Sequence, residues 1–219
     1  MTAPTTLVFD LDGTLVDSAP DMHAAANRTL ARAGRSEITL TQTRSFIGDG
    51  VPKFVERAVA ASGPALDTAG LEEITTDFLN DYQDNASTLT RPFPGVADTL
   101  SALRDRGHRL AVCTNKPQRA SDNLLGDLGL AELFEVVGAG DRYPTRKPDP
   151  GHLLGVLGEM SVAPDAAMMT GDNEHDAETA RAAGVRFALV PYGYARAPLE
   201  SLPATFRLEA FTDILALDL

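Results

Sequence analysis

Five short apolar runs, each breaking off at a polar residue, a glycine or a proline, constrain this chain more than any other feature. Leu7-Val8-Phe9 stops at Asp10, Leu110-Ala111-Val112-Cys113 stops at Thr114-Asn115, and Ala166-Ala167-Met168-Met169 stops at Thr170-Gly171-Asp172. Phe187-Ala188-Leu189-Val190 stops at Pro191, and a weaker run from Phe134 to Val137 stops at Gly138. Runs this short with no alternation read as strands buried on both faces. Helical patterns separate them. Val96 to Arg106 carries Val96, Leu100 and Leu103 and ends at Gly107, and Pro117 to Leu128 ends at Gly129. Pro150 to Leu157 and Glu174 to Ala183 follow, the second closed by Gly184. Strands alternating with helices predict an α/β fold, a doubly wound and mostly parallel sheet of Rossmann-like type. Such sheets bind ligands outside the carboxyl ends of their strands, where these polar residues stand.

Residues 17–90 break the rhythm. Ser18-Ala19-Pro20-Asp21 opens a helix with the stripe Met22, Ala26, Leu30 and Ala33, and Gly34 ends it. Val51, Phe54, Val55, Ala58 and Val59 fall at i, i+3, i+4, i+7 and i+8, and Leu71, Ile74, Phe78 and Tyr82 mark another helix. No strand is expected here. The division is therefore an α/β core of residues 1–16 and 91–219, interrupted by an all-helical unit of residues 17–90.

Nineteen Lys and Arg against 31 Asp and Glu give a net charge of −12. That excludes nucleic acid and an anionic membrane as the main partner, and an anionic small ligand would need a metal or a few placed lysines. No apolar run approaches the roughly 18 residues of a spanning helix. Met1 to Thr6 shows no export signal, and the lone Cys113 fits a reducing compartment, so a cytoplasmic protein is expected. Histidines scattered at 23, 108, 152 and 175 do not form a zinc pattern.

The chemistry starts at Asp10-Leu11-Asp12-Gly13-Thr14. Residues i and i+2 at a strand end face the same side, so two carboxylates project into one cleft, where they repel unless a cation or a shared proton relieves them. Asp12-Gly13 would also suit a hairpin turn, but a helix start follows within a few residues instead of a second strand. The usual uses of such a pair are a metal site or an acid paired with a nucleophile.

Phe9-Asp10-Leu11-Asp12-Gly13-Thr14-Leu15-Val16-Asp17-Ser18 resembles the first signature of the haloacid dehalogenase-like phosphohydrolases. Thr114-Asn115-Lys116, Lys147-Pro148-Asp149-Pro150 and Gly171-Asp172-Asn173-Glu174-His175-Asp176 follow in that family's order. The resemblance covers essentially the whole chain and implies catalysis by Asp10, Asp12 and Lys147 through an aspartyl-phosphate. It also implies that Asp12 offers a metal its backbone carbonyl. Asp10, Asp12 and Asp172 are the expected Mg²⁺ ligands, since hard oxygen donors suit that ion. Thr114, Asn115 and Lys147 are expected to bind phosphate, with Asp176 supporting the metal shell or pairing with Lys147. Lys116 and Arg146 are expected to be solvated neighbours, His175 to be exposed, and Cys113 to be a core residue.

The helical unit resembles the cap that closes over small phosphate esters in this superfamily. Its segment from Arg44 to Ala58 is similar to the specificity segment of bacterial phosphoglycolate phosphatases. Gly48 and Gly50 would let backbone approach a small ligand, and Arg44 or Lys53 would meet a second anionic group such as a carboxylate. The expectation is a Mg²⁺-dependent phosphatase, monomeric or homodimeric, acting on a small phosphorylated metabolite, foremost 2-phosphoglycolate. A sugar phosphomutase-like phosphotransferase and a phosphonate C–P hydrolase are the alternatives. Asn173 departs from the family pattern, which commonly has serine there, without removing an essential group.

Overall fold

The computed structural model describes residues 5–218. Its main sheet has six strands: β1 (Thr6–Phe9), β4 (Arg109–Cys113), β5 (Val136–Gly138), β6 (Ala167–Gly171), β7 (Arg186–Leu189) and β8 (Phe206–Arg207). Their order is β5-β4-β1-β6-β7-β8 and every pairing is parallel. β1 lies at the centre, with Phe9 opposite Val112 on one side and Thr170 on the other. The expected doubly wound sheet is present. β8, only two residues long, has too little apolar pattern to be read from sequence.

Alternation along the strands divides the core into two layers. Leu7, Phe9, Leu110, Val112 and Met168 face α5 (Val96–Asp105) and α6 (Gln118–Asp127), meeting Val96, Leu100, Leu103, Leu124 and Leu125. Val8, Ala111, Cys113, Ala167 and Met169 face α7 (Pro150–Glu159) and α8 (Glu174–Ala183), meeting Leu153, Val156, Leu157, Ala177 and Ala180. With both faces covered, the strand interiors are apolar on both sides, and each fully buried Leu, Val, Phe or Met contributes roughly 1.5–3 kcal/mol.

Between β1 and α5 the chain forms α1 (Ala19–Arg32), α2 (Leu40–Phe46), α3 (Val51–Ser62) and α4 (Thr68–Gln83). Met22, Leu30, Phe54, Val55, Phe78 and Tyr82 make a cluster of their own, to which the rest of the chain adds Ala120 and Tyr194. α2 was not expected, although its signal is present: Thr39 and Gln42 close a reciprocal capping box at its start. The two connections pair as a short antiparallel ribbon, β2 (Val16–Asp17) with β3 (Arg91–Pro92). Buried Asp21 braces the return, accepting N–H bonds from Leu89 and Thr90. Among the described residues no helix is long and apolar enough to cross a membrane.

Candidate active site

Asp10 follows directly on β1, and its N–H donates to Thr170 O at 2.9 Å, fixing the carboxyl end of β1 against β6. Gly13, at φ +92°, turns the chain back beneath it; a Cβ there would lie 2.6 Å from Asp172 Oδ2. The turn Asp12-Gly13 leads into α1 through β2, so the hairpin alternative does not arise.

Asp10, Asp172 and Asp176 are buried, with carboxylate oxygens within 4.8 Å of one another. Lys147 Nζ stands among them, 2.8 Å from Asp10 Oδ1 and 2.6 Å from Asp176 Oδ1. Three carboxylates face one ammonium, and the imbalance is felt. Burial is the largest influence on Asp10; together with Asp176 it outweighs Lys147 and raises the carboxyl well above its usual range. Burial likewise raises Asp172, with Asp176 and Asp10 adding to it.

Asp176 has no oxygen left over. Its Oδ1 takes Lys147, and its Oδ2 accepts the N–H groups of Asp172 at 3.0 Å and Asn173 at 3.2 Å. It therefore pairs with Lys147, one of the two expected roles. Asp172 is oriented by Thr14 Oγ1 at 3.0 Å and by the Tyr194 N–H at 2.6 Å. Both Asp172 oxygens are hydrogen-bonded too, so hydrogen bonding does not single out ligands; the buried anionic cluster of Asp10, Asp172 and Asp176 as a whole suits a hard divalent ion.

The Asp12 side chain does not join this cluster. It turns to Lys116, whose Nζ lies 3.0 and 3.3 Å from its two oxygens. Lys116 is buried, not solvated as expected; burial pulls its ammonium down, but Asp12 and Tyr82 more than restore it. No sequence pattern marks this contact, because Tyr82 comes from α4, 34 residues away. Arg146 is exposed, as expected.

Asn115 is more committed than expected. Its Nδ2 donates to Gly48 O at 2.8 Å and to Lys147 O at 2.9 Å, and its Oδ1 accepts the Lys147 N–H at 3.0 Å. It braces two segments, and the Thr114 hydroxyl, which accepts the Lys116 N–H, keeps its proton for another acceptor. A cavity of about 30 Å³ is lined by Asp10, Asp12, Thr114, Asn115, Lys116 and Lys147 from the sheet side. Met22, Ile47, Gly48, Gly50, Val51, Phe54 and Tyr82 close it from the helical side.

Gly48 and Gly50 line the cavity with positive φ, +119° and +83°. Arg44 and Lys53 do not line it. Arg44 pairs with Asp17 at 3.1 Å and Lys53 with Glu56 at 2.8 Å, both on the exposed surface and outside the cavity lining. The helical spacing that brings Phe54 inward turns Lys53 outward. His175 is partly buried instead of exposed, its Nε2 lying 2.6 Å from Asp49 Oδ1. Cys113 is a buried core residue, its thiol pushed up to about 12 by burial.

Comparison with known proteins agrees with this geometry. The chain is 45% identical over 197 residues to a phosphoglycolate phosphatase of Cereibacter sphaeroides, covering 90% of this chain and 89% of that one. It is 38% identical over 218 residues to phosphoglycolate phosphatase 1 of Pseudomonas aeruginosa, covering 97% and 79%. A crystal structure of a predicted phosphoglycolate phosphatase from Haemophilus somnus superposes with a TM-score of 0.93 at 29% identity, over 99% of this chain and 98% of that one. The family model described as haloacid dehalogenase-like hydrolase matches residues 7–190, and the chain belongs to that family.

Proposed function

We propose that the protein is a Mg²⁺-dependent phosphatase that hydrolyses 2-phosphoglycolate to glycolate and phosphate through an aspartyl-phosphate on Asp10. The observation that carries the reading is Lys147 held between Asp10 and Asp176 beside Asp172, at the ends of β1 and β6. Relatives named phosphoglycolate phosphatase support the substrate. The cavity supports it too, since a polar floor at the sheet is closed over by the helical side chains Met22, Ile47, Val51 and Phe54, which suits a small ester. In this reading residues 17–90 are a cap and residues 1–16 and 91–219 the catalytic core of a cytoplasmic enzyme.

Asp10, Asp172 and the Asp12 carbonyl would hold Mg²⁺, which would supply positive charge to offset the repulsion between an anionic nucleophile and an anionic ester. Asp10 attacks phosphorus, and the ester oxygen leaves with a proton from Asp12. Asp12 then takes a proton from water, whose oxygen attacks the aspartyl-phosphate, releasing phosphate and restoring the Asp10 carboxylate. Lys147 holds Asp10 in place and balances charge on the transferring group, while Thr114 donates to a phosphoryl oxygen. The apolar wall of Met22, Ile47, Val51 and Phe54 keeps water away until the glycolate has left.

The test is phosphate release from a panel of small esters. Activity on 2-phosphoglycolate that disappears in excess chelator and returns with Mg²⁺ is expected. Full activity in chelator removes the ion, and transfer of the phosphoryl group to a sugar in preference to water makes the protein a mutase-like transferase.

A further inference from the structure

We infer that Lys116 and Tyr82 form the seat for a carboxylate on the substrate, beside the phosphoryl site. The inference rests on the phosphatase reading above and supplies the specificity contact that Arg44 and Lys53 do not make.

Two cations line the cavity, Lys147 and Lys116. Lys147 is held by Asp10 and Asp176 and Lys116 by Asp12 and Tyr82, so a second anionic group at this wall shares the Lys116 charge with Asp12. Lys116 Nζ carries three N–H donors, shared between the Asp12 carboxylate and the Tyr82 oxygen, and its charge lies 4.6 Å from the centre of the Tyr82 ring. It is held by an aromatic and a carboxylate at once, so it does not swing out to solvent as a surface lysine does.

Tyr82 completes the seat. Its ring stacks on Phe78 at 5.4 Å and 15° in the core of the helical unit, which fixes where the oxygen lies. That oxygen accepts from Lys116, and its own proton has no acceptor among the described residues. A phenol with an uncommitted O–H beside an ammonium, both buried at one cavity wall, makes a paired charge-assisted donor set for a carboxylate. Burial pushes the Tyr82 hydroxyl up to about 12, so it remains a donor.

The surroundings favour a carboxylate over a bulkier anion. On the helical side the wall beside Tyr82 is Met22, Ile47, Val51 and Phe54, which offers a bulkier anion no further side-chain donor. Lys116 follows β4 of the sheet while Tyr82 belongs to α4, so the seat exists only with the two parts of the chain together. A ligand that needs both donors binds the closed form, and its carboxylate contributes to closure.

The experiment compares 2-phosphoglycolate with ethyl phosphate, which keeps the ester and the two carbons and lacks the carboxylate. For each of wild type, Tyr82→Phe and Lys116→Met, the ratio of kcat/KM for the two esters is measured, so any loss of folded protein cancels. Wild type should favour phosphoglycolate, and each substitution should reduce that preference by roughly tenfold or more, mainly through KM. Two results overturn the seat: a ratio unchanged while both activities fall in parallel, which makes the pair a support for Asp12 only, or a wild type that prefers a sugar bisphosphate. Wild type that releases phosphate from neither ester contradicts the phosphatase reading instead.

Discussion

Asp176 carries Lys147. Its Oδ1 accepts the ammonium at 2.6 Å while its Oδ2 takes two backbone N–H groups that start the loop into α8. One buried carboxylate thereby ties the lysine beside Asp10 to the segment that presents Asp172. Asn173 and Asp176 also form the reciprocal capping box of that helix. An acid at this position is stabilised both by the helix start and by Lys147, which is why it remains tightly bonded among other anions.

Asp176→Asn should therefore damage stability and activity together. An amide placed there turns an NH₂ group toward a donor in either orientation, leaving one buried donor unpaired at a cost of about 1–3 kcal/mol. Urea unfolding should show that loss, and phosphate release should fall by roughly 10- to 100-fold through misplacement of Lys147. Wild-type stability together with wild-type turnover would show that Lys147 is positioned without Asp176.

Asp49 makes a second tie, from the loop ahead of α3 to α8 and the segment after β7. It lies 2.6 Å from His175 Nε2 and 2.5 Å from Arg196 Nη1, with Arg57 of α3 at 2.5 Å as well. These groups are partly exposed, so the tie contributes little to global stability. Asp49→Ala should shift the unfolding free energy by no more than about 1 kcal/mol. It should raise KM severalfold, because the Gly48-Gly50 loop is no longer latched over the cavity. An unchanged KM would show that the loop is held by the Asn115 bond to Gly48 alone.

Most of this was legible in the sequence, and the exceptions share a physical cause. Strands β1, β4, β5, β6 and β7 with α3 and α8 could be read because pattern and spacing are local, while Asp10, Thr114, Lys147 and Asp172 stood out by their place in the family's signatures. Lys116 could not, since its burial depends on Tyr82 and Asp12 arriving from distant parts of the chain. Arg44 and Lys53 have the right charge for an anion, but helix geometry turns them to Asp17 and Glu56 on the surface. α2 has a readable cap at Thr39 but only seven residues and one buried position, Thr43, too little for an apolar stripe.

His152 sets an acid limit on the fold. It is buried in α7, with Nε2 3.1 Å from Gly138 O and Nδ1 without a partner among the described residues. Burial, with the Lys147 charge nearby, pushes the imidazole down to about 4 from its ordinary 6.5. The unfolded chain takes up this proton near pH 6.5, whereas the folded chain resists until about pH 4. The contribution is full above pH 6.5 and is lost as pH falls through that window, about 3 kcal/mol in all. Unfolding free energies measured from pH 7 to 4 should fall more steeply for wild type than for His152→Gln. Parallel curves would show that His152 takes up its proton equally in the folded and unfolded chain.

The central claim is covalent transfer to Asp10, and the most direct measurement is an acid quench during turnover of 2-phosphoglycolate, followed by mass analysis of peptides. One phosphoryl group should appear on the peptide containing Asp10, decay on the timescale of turnover, and be absent from folded Asp10→Asn, which should release no phosphate above background. Phosphate release by folded Asp10→Asn at the wild-type rate, with no phosphorylated peptide in either protein, would contradict it.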